Sequence, residues 1–239
     1  MKTFVLVTGF SPLKIYFYKD GYITFDKNNY ILNEKTVKKG YTGSICNDEI
    51  INDRDYYARS IFDEKSCTWN FISLERFCAE KNINYNDIIK QMKDIIIKTF
   101  ISLSSKIDNN GINERKMFQL FSFDFIMGDT KKIFLIDVDR NPPLKSLHMG
   151  PMYIYDHLLS DVLNIVGVIP FRHEVNFGGI KNDNKIKENV EEAVCEFTRP
   201  RGIFELVFPI KSNIEKYRKF FDEIDESNKL LWDKVKEEK

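Results

Sequence analysis

The chain lacks the cysteine and charge patterns that most readily assign a function. Its four cysteines, Cys46, Cys67, Cys78 and Cys195, are widely spaced and form no C-x-x-C pair, which argues against a zinc site and indicates free thiols in a reducing compartment. The charges balance as well, because Lys+Arg and Asp+Glu both number 36. Such a neutral chain gives no sign of attraction to nucleic acid or to a membrane surface, so we expect neither partner.

Long apolar runs are also missing. No segment approaches the roughly 18 apolar residues of a membrane span. The apolar start of the chain is interrupted at Pro12 and Lys14, and no small-residue cleavage site follows, so this start does not match a secretory signal peptide. The three histidines, His148, His157 and His173, have neither metal-site nor triad spacing. These absences predict a cytoplasmic or cytoskeletal protein without a histidine-based centre.

The chain does contain enough apolar material for a core, with 43% hydrophobic and 14% aromatic residues in 239. Alternating and helical periodicities predict both strands and helices. Strands are expected at 4–7, 13–18, 22–25 and 204–208. Helices are expected at 74–80 with a Ser73 cap, at 86–103, at 152–166 closed by Gly167, in a short segment up to Phe197, and from Ser212 with Glu215 through Ile224 into the charged C-terminal end. Residues 28–65 read as a long loop and 181–187 as a mobile loop. The predicted fold class is α+β, with an antiparallel sheet flanked by helices, in a single domain over 1–239.

The most informative stretch is FQLFSFDFIMGDTKKIFLIDVDRNPPL at 118–144. It alternates apolar and polar residues, turns at Gly128-Asp129 and alternates again, which predicts a hairpin of two strands. The alternation places Ile133, Leu135, Asp137 and Asp139 on one face of the second strand. The hairpin therefore carries an acidic second strand.

The length of the turn decides whether Asp124 of the first strand joins that face. A turn of two or four residues would pair Met127 with Lys132 and put Asp124 about 7 to 8 Å diagonally from Asp137. All three aspartates, at 124, 137 and 139, would then share one face. A three-residue turn would break this arrangement.

Three carboxylates on one sheet face repel one another unless a cation offsets their charge. Mg²⁺ or Mn²⁺ suits such an oxygen-only donor set, and Mg²⁺ is commonly held by carboxylates together with phosphate oxygens. The alternative is a solvated strand that merely tolerates Asp on its outer face. The residues alone leave both interpretations open.

Four segments of the chain, in order, resemble the tubulin-tyrosine ligase-like family of ATP-grasp amino-acid ligases. They are FVLVTGFSPLKIYFYKDG at 4–21, the stretch 40–47, the aspartate hairpin, and RPRGIFELVFP at 199–209. The resemblance implies the C-terminal part of an ATP-grasp fold. The resemblance also implies an incomplete domain, because the family's upstream half, with its glycine-rich phosphate loop, has no counterpart in the chain.

The resemblance also implies a reaction. In the family, ATP phosphorylates a carboxylate on a tubulin tail, and the amine of an incoming Tyr, Glu or Gly displaces the phosphate. By position, Asp124, Asp137 and Asp139 match the family's ligands of Mg²⁺ or Mn²⁺, and Thr42 and Asn47 match residues of its nucleotide site. Tubulin or microtubules would be the partner, and an amino acid the second substrate.

The chain departs from the family at several of these positions. Asp137 and Asp139 stand where the family has Glu and Asn, and Thr24, Gly40 and Gly43 replace an arginine, a histidine and an asparagine. The alternative to a ligase is therefore a catalytically inactive, tubulin-binding or scaffolding relative, or an inactive fragment of a longer ligase. We expect this polypeptide alone not to ligate.

Two arginines near the C-terminal end are candidates for contacting an acidic substrate. Few acidic residues surround Arg199 and Arg201, and Gly202 exposes the adjoining backbone. A basic set at Lys211, Lys216 and neighbouring positions alternates with acidic residues and is better explained as a solvated helix face.

Overall fold

The computed structural model describes residues 1–24, 68–104, 106, 118–142, 144, 149–167 and 182–237. Thr42 and Asn47, Gly40 and Gly43, and the predicted loop at 28–65 lie outside these residues. The strands are β1 (Lys2–Phe10), β2 (Leu13–Thr24), β3 (Thr68–Asn70), β4 (Gln119–Met127), β5 (Ile133–Asp139) and β6 (Phe204–Phe208). The helices are α1 (Phe71–Glu80), α2 (Tyr85–Ser104), α3 (Met149–Val166), α4 (Asn182–Phe197), α5 (Ile214–Arg218) and α6 (Glu226–Glu237).

The six strands form one antiparallel sheet in the order β3-β2-β1-β4-β5, and β6 also pairs with β2. Helices cover both faces. One face packs against α1, α2, α5 and α6, and the other packs against α3. The predicted α+β class, with an antiparallel sheet flanked by helices, is confirmed.

Helix α2 shows why these residues form a helix and what its apolar stripe buries. Ile88, Met92, Ile96 and Phe100 recur at helical spacing, and each is at most 1% exposed beneath the sheet. Truncating any of them to alanine would cost about 2 to 5 kcal/mol by the usual cavity effect. This stripe fixes the sheet that carries the hairpin.

Strand β2 is longer than predicted, because the expected break at 19–21 is a bulge within one strand. The pairing of β1 with β2 passes from Val5↔Phe17 to Thr3↔Gly21, so β2 has extra residues at this point. A Cβ atom at Gly21 would collide with the carbonyl oxygen of Lys2, which explains the glycine. Asp20 turns inward here and accepts hydrogen bonds from Gly21 N and Phe71 N.

Other boundaries differ from the sequence predictions. Asn70, rather than Ser73, caps α1, since Asn70 Oδ1 accepts from Ser73 N at 2.8 Å. The segment 181–187 is not a loop throughout, because α4 begins at Asn182. The predicted last helix is two helices, α5 and α6, and Glu215 pairs with Lys236 at 2.6 Å instead of forming a capping box. Strand β3 was not predicted, whereas Gly167 closes α3 as expected, with φ +72°.

Candidate metal site

The β4–β5 hairpin reaches the predicted acidic face through two irregularities that offset each other. Met127 pairs with Ile133, so the turn has five residues, closed by Gly128 N donating to Lys132 O at 2.9 Å. The turn thus has neither the two nor the four residues under which the three aspartates were expected to share a face. With an odd turn alone, Asp124 would lie opposite residue 136 and Asp137 would point to the other face.

A bulge at Ile136 restores the parity. Phe125 pairs with Leu135, but Asp124 pairs with Asp137, so two steps on β5 match one step on β4. Asp124 and Asp137 are therefore direct cross-strand neighbours rather than diagonal ones. Ser122 lies opposite Asp139 in the next row.

The bulge also corrects the predicted faces of β5. Ile133 and Leu135 were expected on the acidic face, yet both pack into the helix-covered core, together with Val138. Phe123 and Phe125 of β4 belong to the same core. Residues directly opposite one another point to the same side of a sheet, so all three aspartates lie on the other face.

The acidic pair continues a row of polar side chains across four strands. Tyr22 of β2 pairs with Lys2 of β1, Lys2 pairs with Asp124, and Asp124 pairs with Asp137. The next row is Phe4, Ser122 and Asp139, and beyond it the face becomes apolar and is covered by α3. The polar rows thus lie at the edge of the part of this face that α3 covers, and "the acidic rows" denotes them below.

Lys2 is the cation that contacts this site. Its Nζ lies 3.1 Å from Asp124 Oδ2 and 3.5 Å from Ser122 Oγ. Asp124 is one-third exposed, with a side-chain exposure of 34%. The ammonium of Lys2 therefore offsets the carboxylate that the metal hypothesis requires.

The other two carboxylates contact nearby backbone. Asp137 Oδ1 accepts from Val138 N at 2.9 Å, and Asp139 Oδ1 accepts from Asn141 N at 2.8 Å. In the part of the chain that the structure describes, no three His, Cys, Asp or Glu side chains converge as a ready metal cage. The acidic side chains share a face without meeting at one point.

Tyr22 closes the row on the side of β2. Burial raises the pKa of its hydroxyl, and a hydrogen bond with Tyr155 of α3 and the nearby charge of Asp124 raise this pKa further. The N-terminal amine of Met1 donates to Phe125 O at 2.9 Å. Burial lowers the pKa of this amine, and Asp124 partly opposes the shift.

The donor chemistry of the acidic rows fits a hard divalent cation. Asp124 and Asp137 offer oxygen ligands on directly opposed positions, and a cation, the Lys2 ammonium, already contacts Asp124. Mg²⁺ commonly takes only one or two protein carboxylates and completes its octahedron with water and phosphate oxygens. A preformed cage of three carboxylates is therefore not needed.

Exposed apolar side chains lie beside the acidic pair. Ile126 is 54% exposed, Phe134 47% and Ile136 63%. Ile126 and Phe134 are paired across the hairpin two residues beyond Asp124 on β4, and Ile136 is the bulged residue next to Asp137. Together they form an exposed apolar patch, here called the hairpin patch, on β4 and on β5, which is at the edge of the described sheet.

The two arginines predicted to contact substrate lie elsewhere, at the C-terminal ends of helices. Arg199 donates to Ile165 O at 3.0 Å and to Val166 O at 3.1 Å at the end of α3. Arg201 donates to Phe197 O at 2.7 Å at the end of α4. Both satisfy carbonyl groups that a helix end leaves without partners, and the structure does not bring either of them to the acidic rows.

Sequence reasoning missed Lys2 and Tyr22 as members of the site. Lys2 is 122 residues from Asp124 along the chain, and no local pattern predicts that β1 lies between β2 and β4. The one available signal was parity, because Lys2, Phe4 and Leu6 share a face in any strand that begins here.

The family model for the tubulin-tyrosine ligase family matches residues 1–176, which include the whole acidic hairpin. Tubulin monoglutamylase TTLL4 of Mus musculus is 25% identical over 176 residues, covering 71% of this chain and 15% of the relative. Tubulin glycylase 3E of Tetrahymena thermophila is 32% identical over 146 residues, or 59% of this chain and 10% of the relative. Tubulin polyglutamylase TTLL5 of Mus musculus is 22% identical over 175 residues. The chain thus spans a small part of the length of each.

Proposed function

Because the chain belongs to the tubulin-tyrosine ligase family, we propose that it serves the ATP- and Mg²⁺-dependent addition of an amino acid to tubulin tails. The matched relatives are named as glutamylases and a glycylase of tubulin, which supports Glu or Gly as the added residue, with Tyr as the third member of the predicted set. The sheet and its helices would be the C-terminal part of an ATP-grasp fold. Tubulin or microtubules would be the partner, in the cytoplasm and on the cytoskeleton.

The observation that carries this proposal is the direct opposition of Asp124 and Asp137 on a face shared with Asp139. These three residues would hold Mg²⁺ or Mn²⁺. When bound, the ion offsets the negative charge of the ATP phosphates during phosphoryl transfer. The chain's own contribution is to fix the carboxylates on rigid strands, where the register of the hairpin sets their spacing.

The hairpin patch supports ATP as the nucleotide ligand. Ile126 and Phe134 present apolar surface next to the carboxylates, and ligand sites typically combine apolar walls with a few polar groups. Thr42 and Asn47 stay predicted members of the same nucleotide site.

In the proposed reaction, a carboxylate on the tubulin tail attacks the γ-phosphorus of ATP, which yields an acyl phosphate and ADP. The amine of the incoming amino acid then attacks the acyl carbon, the new amide bond forms, and inorganic phosphate leaves. Among the described residues, those of the acidic rows would serve the first of these two steps. Arg199 and Arg201 remain predicted contacts of the acidic substrate, although both already bind helix ends.

A catalytically inactive, tubulin-binding role is the second candidate. It is favoured by the contacts of the carboxylates, since Lys2 pairs with Asp124 while Asp137 and Asp139 accept from backbone amides. The replacement of a family arginine by Thr24 points the same way. In this case the fold would be retained for binding, without nucleotide turnover.

Titration with Mg-ATP by calorimetry tests the proposal. We expect binding by the unaltered protein, loss of binding in Asp124→Ala, and retention in Asp129→Ala, which removes an exposed carboxylate from the turn of the same hairpin. Absence of Mg-ATP binding, or equal binding by Asp124→Ala, would contradict the proposal.

A second assay separates the two candidate functions. Labelled Glu, Gly or Tyr is supplied with ATP and tubulin, and incorporation is compared between the unaltered protein and Asp124→Ala. Incorporation that disappears in the variant identifies a ligase and overturns the expectation that this polypeptide alone does not ligate. Co-sedimentation with microtubules without nucleotide binding identifies the non-catalytic relative.

A further inference from the structure

The ammonium of Lys2 occupies the position next to Asp124 that a divalent cation would need. Lys2 and Asp124 are directly paired across β1 and β4, and their charged atoms are 3.1 Å apart. Ser122, which is only 1% exposed, lies 3.5 Å from the same ammonium and helps to locate it. The contact is therefore built by two strands and does not depend on a loop.

Both cations would use the carboxylate of Asp124, whose Oδ2 the Lys2 ammonium already contacts. A divalent ion bound to Asp124 would lie a few ångströms from the ammonium, and like charges at such distances repel each other. The Lys2 side chain is 21% exposed, and its ammonium is a strongly hydrated point charge on a flexible stem. It is thus able to move into water when a stronger cation arrives.

On this basis, which rests on the proposed metal site, we propose that Lys2 is a built-in counter-ion that competes with the divalent metal for Asp124. In the metal-free protein it offsets the charge of Asp124 at one end of the acidic rows. Metal binding displaces the ammonium, so the loss of the Lys2–Asp124 pair weakens the affinity for the ion. The site consequently binds metal more weakly than its carboxylates alone would.

Titration of the nucleotide-free protein with Mn²⁺ tests this competition, with free Mn²⁺ followed by electron paramagnetic resonance. Removing the charge in Lys2→Met should tighten Mn²⁺ binding by about threefold to tenfold, the range expected for a partly exposed ion pair plus relief of repulsion. Lys2→Arg keeps the charge and should restore the original affinity to within about twofold. Unchanged or weaker binding in Lys2→Met would overturn the proposal.

Lys132→Met serves as the matched control. Like Lys2→Met, it removes one ammonium, in this case from the turn of the β4–β5 hairpin. The Lys132 ammonium lies over the ring of Phe134, 5.2 Å from its centroid, rather than on a carboxylate. Its Mn²⁺ affinity should change by less than about twofold, since screening weakens charges that are not in contact. An effect as large as that of Lys2→Met would show a general charge effect and contradict direct competition.

The displacement of Lys2 has its own spectroscopic readout. Addition of diamagnetic Mg²⁺ should shift the Nζ resonance of Lys2 in a nitrogen-detected spectrum and leave that of Lys132 in place. A Lys2 resonance that does not respond at saturating Mg²⁺ would show that the ion pair persists, which contradicts the proposal.

Asp124→Asn distinguishes failure of this inference from failure of the proposed metal site. If Asp124→Asn abolishes Mn²⁺ binding while Lys2→Met leaves it unchanged, the metal site stands and only the competition is wrong. If Asp124→Asn binds Mn²⁺ as the unaltered protein does, the metal site is wrong and the competition falls with it.

Discussion

Asp124 and Asp137 lie directly opposite each other on β4 and β5 because Ile136 is the extra residue of a β-bulge. The bulge follows a five-residue turn, and each irregularity alone would send Asp137 to the opposite face. Together they leave the acidic residues on one side and the apolar residues Leu135 and Val138 on the other. The arrangement of the acidic rows therefore depends on the register of a single hairpin.

This register predicts a specific set of backbone contacts in solution. Nuclear Overhauser contacts between backbone protons should connect Asp124 with Asp137 and Phe125 with Leu135, as expected for directly opposed residues of an antiparallel pair. A regular ladder without the bulge would instead pair Asp124 with Ile136. Observation of that pairing would contradict the assigned faces.

Removing one partner of the buried ion pair between Lys14 and Glu196 should strongly destabilise the folded protein. Lys14 Nζ lies 2.8 Å from Glu196 Oε2, both residues are at most 6% exposed, and Tyr16 and Thr8 also donate to this carboxylate. Lys14→Met leaves a buried charge without its cation, so we expect the free energy of unfolding in urea to fall by about 3 to 5 kcal/mol.

Two further variants control that measurement. Glu196→Leu added to Lys14→Met removes both charges and should recover much of the loss, since apolar replacement of a buried pair is often neutral. Lys93→Met breaks a partly exposed pair with Glu205, 2.7 Å apart, and should cost no more than about 1 kcal/mol. Equal losses in Lys14→Met and Lys93→Met would contradict the role of burial.

Asp94 should contribute stability that is lost in acid. Burial raises the pKa of its carboxyl group, but hydrogen bonds from Lys216, Lys98 and Tyr217 outweigh burial and lower the pKa to about 2. Because the folded-state pKa is below the unfolded value of about 3.9, this contribution is fully present above the unfolded value and disappears as the pH falls through the folded one.

A carboxyl titration followed by carbon NMR checks this pKa directly. The midpoint for Asp94 should be near 2 and should move toward the ordinary value in Lys216→Met, which removes an ammonium 2.7 Å from the carboxylate. The unfolding free energy of Asp94→Asn should correspondingly depend less on pH below about pH 4 than that of the unaltered protein. An ordinary midpoint in the unaltered protein would contradict the assignment.

The sequence predicts the fold class and the main strands because their signals are local. Alternation identifies β4 and β5, and the stripe from Ile88 to Phe100 identifies α2, since each pattern reflects burial of one face. The bulges are not predictable in this way. The bulges at Asp20 and Ile136 lie in pairs of consecutive strands, β1 with β2 and β4 with β5, but the extra residue is defined by the register of the pairing and not by alternation. The break predicted at 19–21 marks a real irregularity, which the structure places inside one strand.

The sequence predicts the acidic residues of the candidate site but does not predict its cation, Lys2. Asp124, Asp137 and Asp139 stand out because carboxylates are depleted in strands. Lys2 has no such signal, as its role depends on β1 pairing with β4. Arg199 and Arg201 were predicted to contact substrate because few acidic residues are near them in the sequence. The carbonyl groups that they bind can be identified only once α3 and α4 are placed.

Binding of Mn²⁺ in the presence of ATP to a variant of the Asp124–Asp137 pair is the most direct test of the proposed metal site. We expect Asp137→Asn to weaken Mn²⁺ binding in the presence of ATP by at least about tenfold, since even the loss of a group that only orients a metal ligand costs this much. We expect Asp129→Asn, on the same hairpin, to leave Mn²⁺ binding unchanged. Equal Mn²⁺ affinity in Asp137→Asn and in the unaltered protein would contradict the assignment of the acidic rows as a metal site.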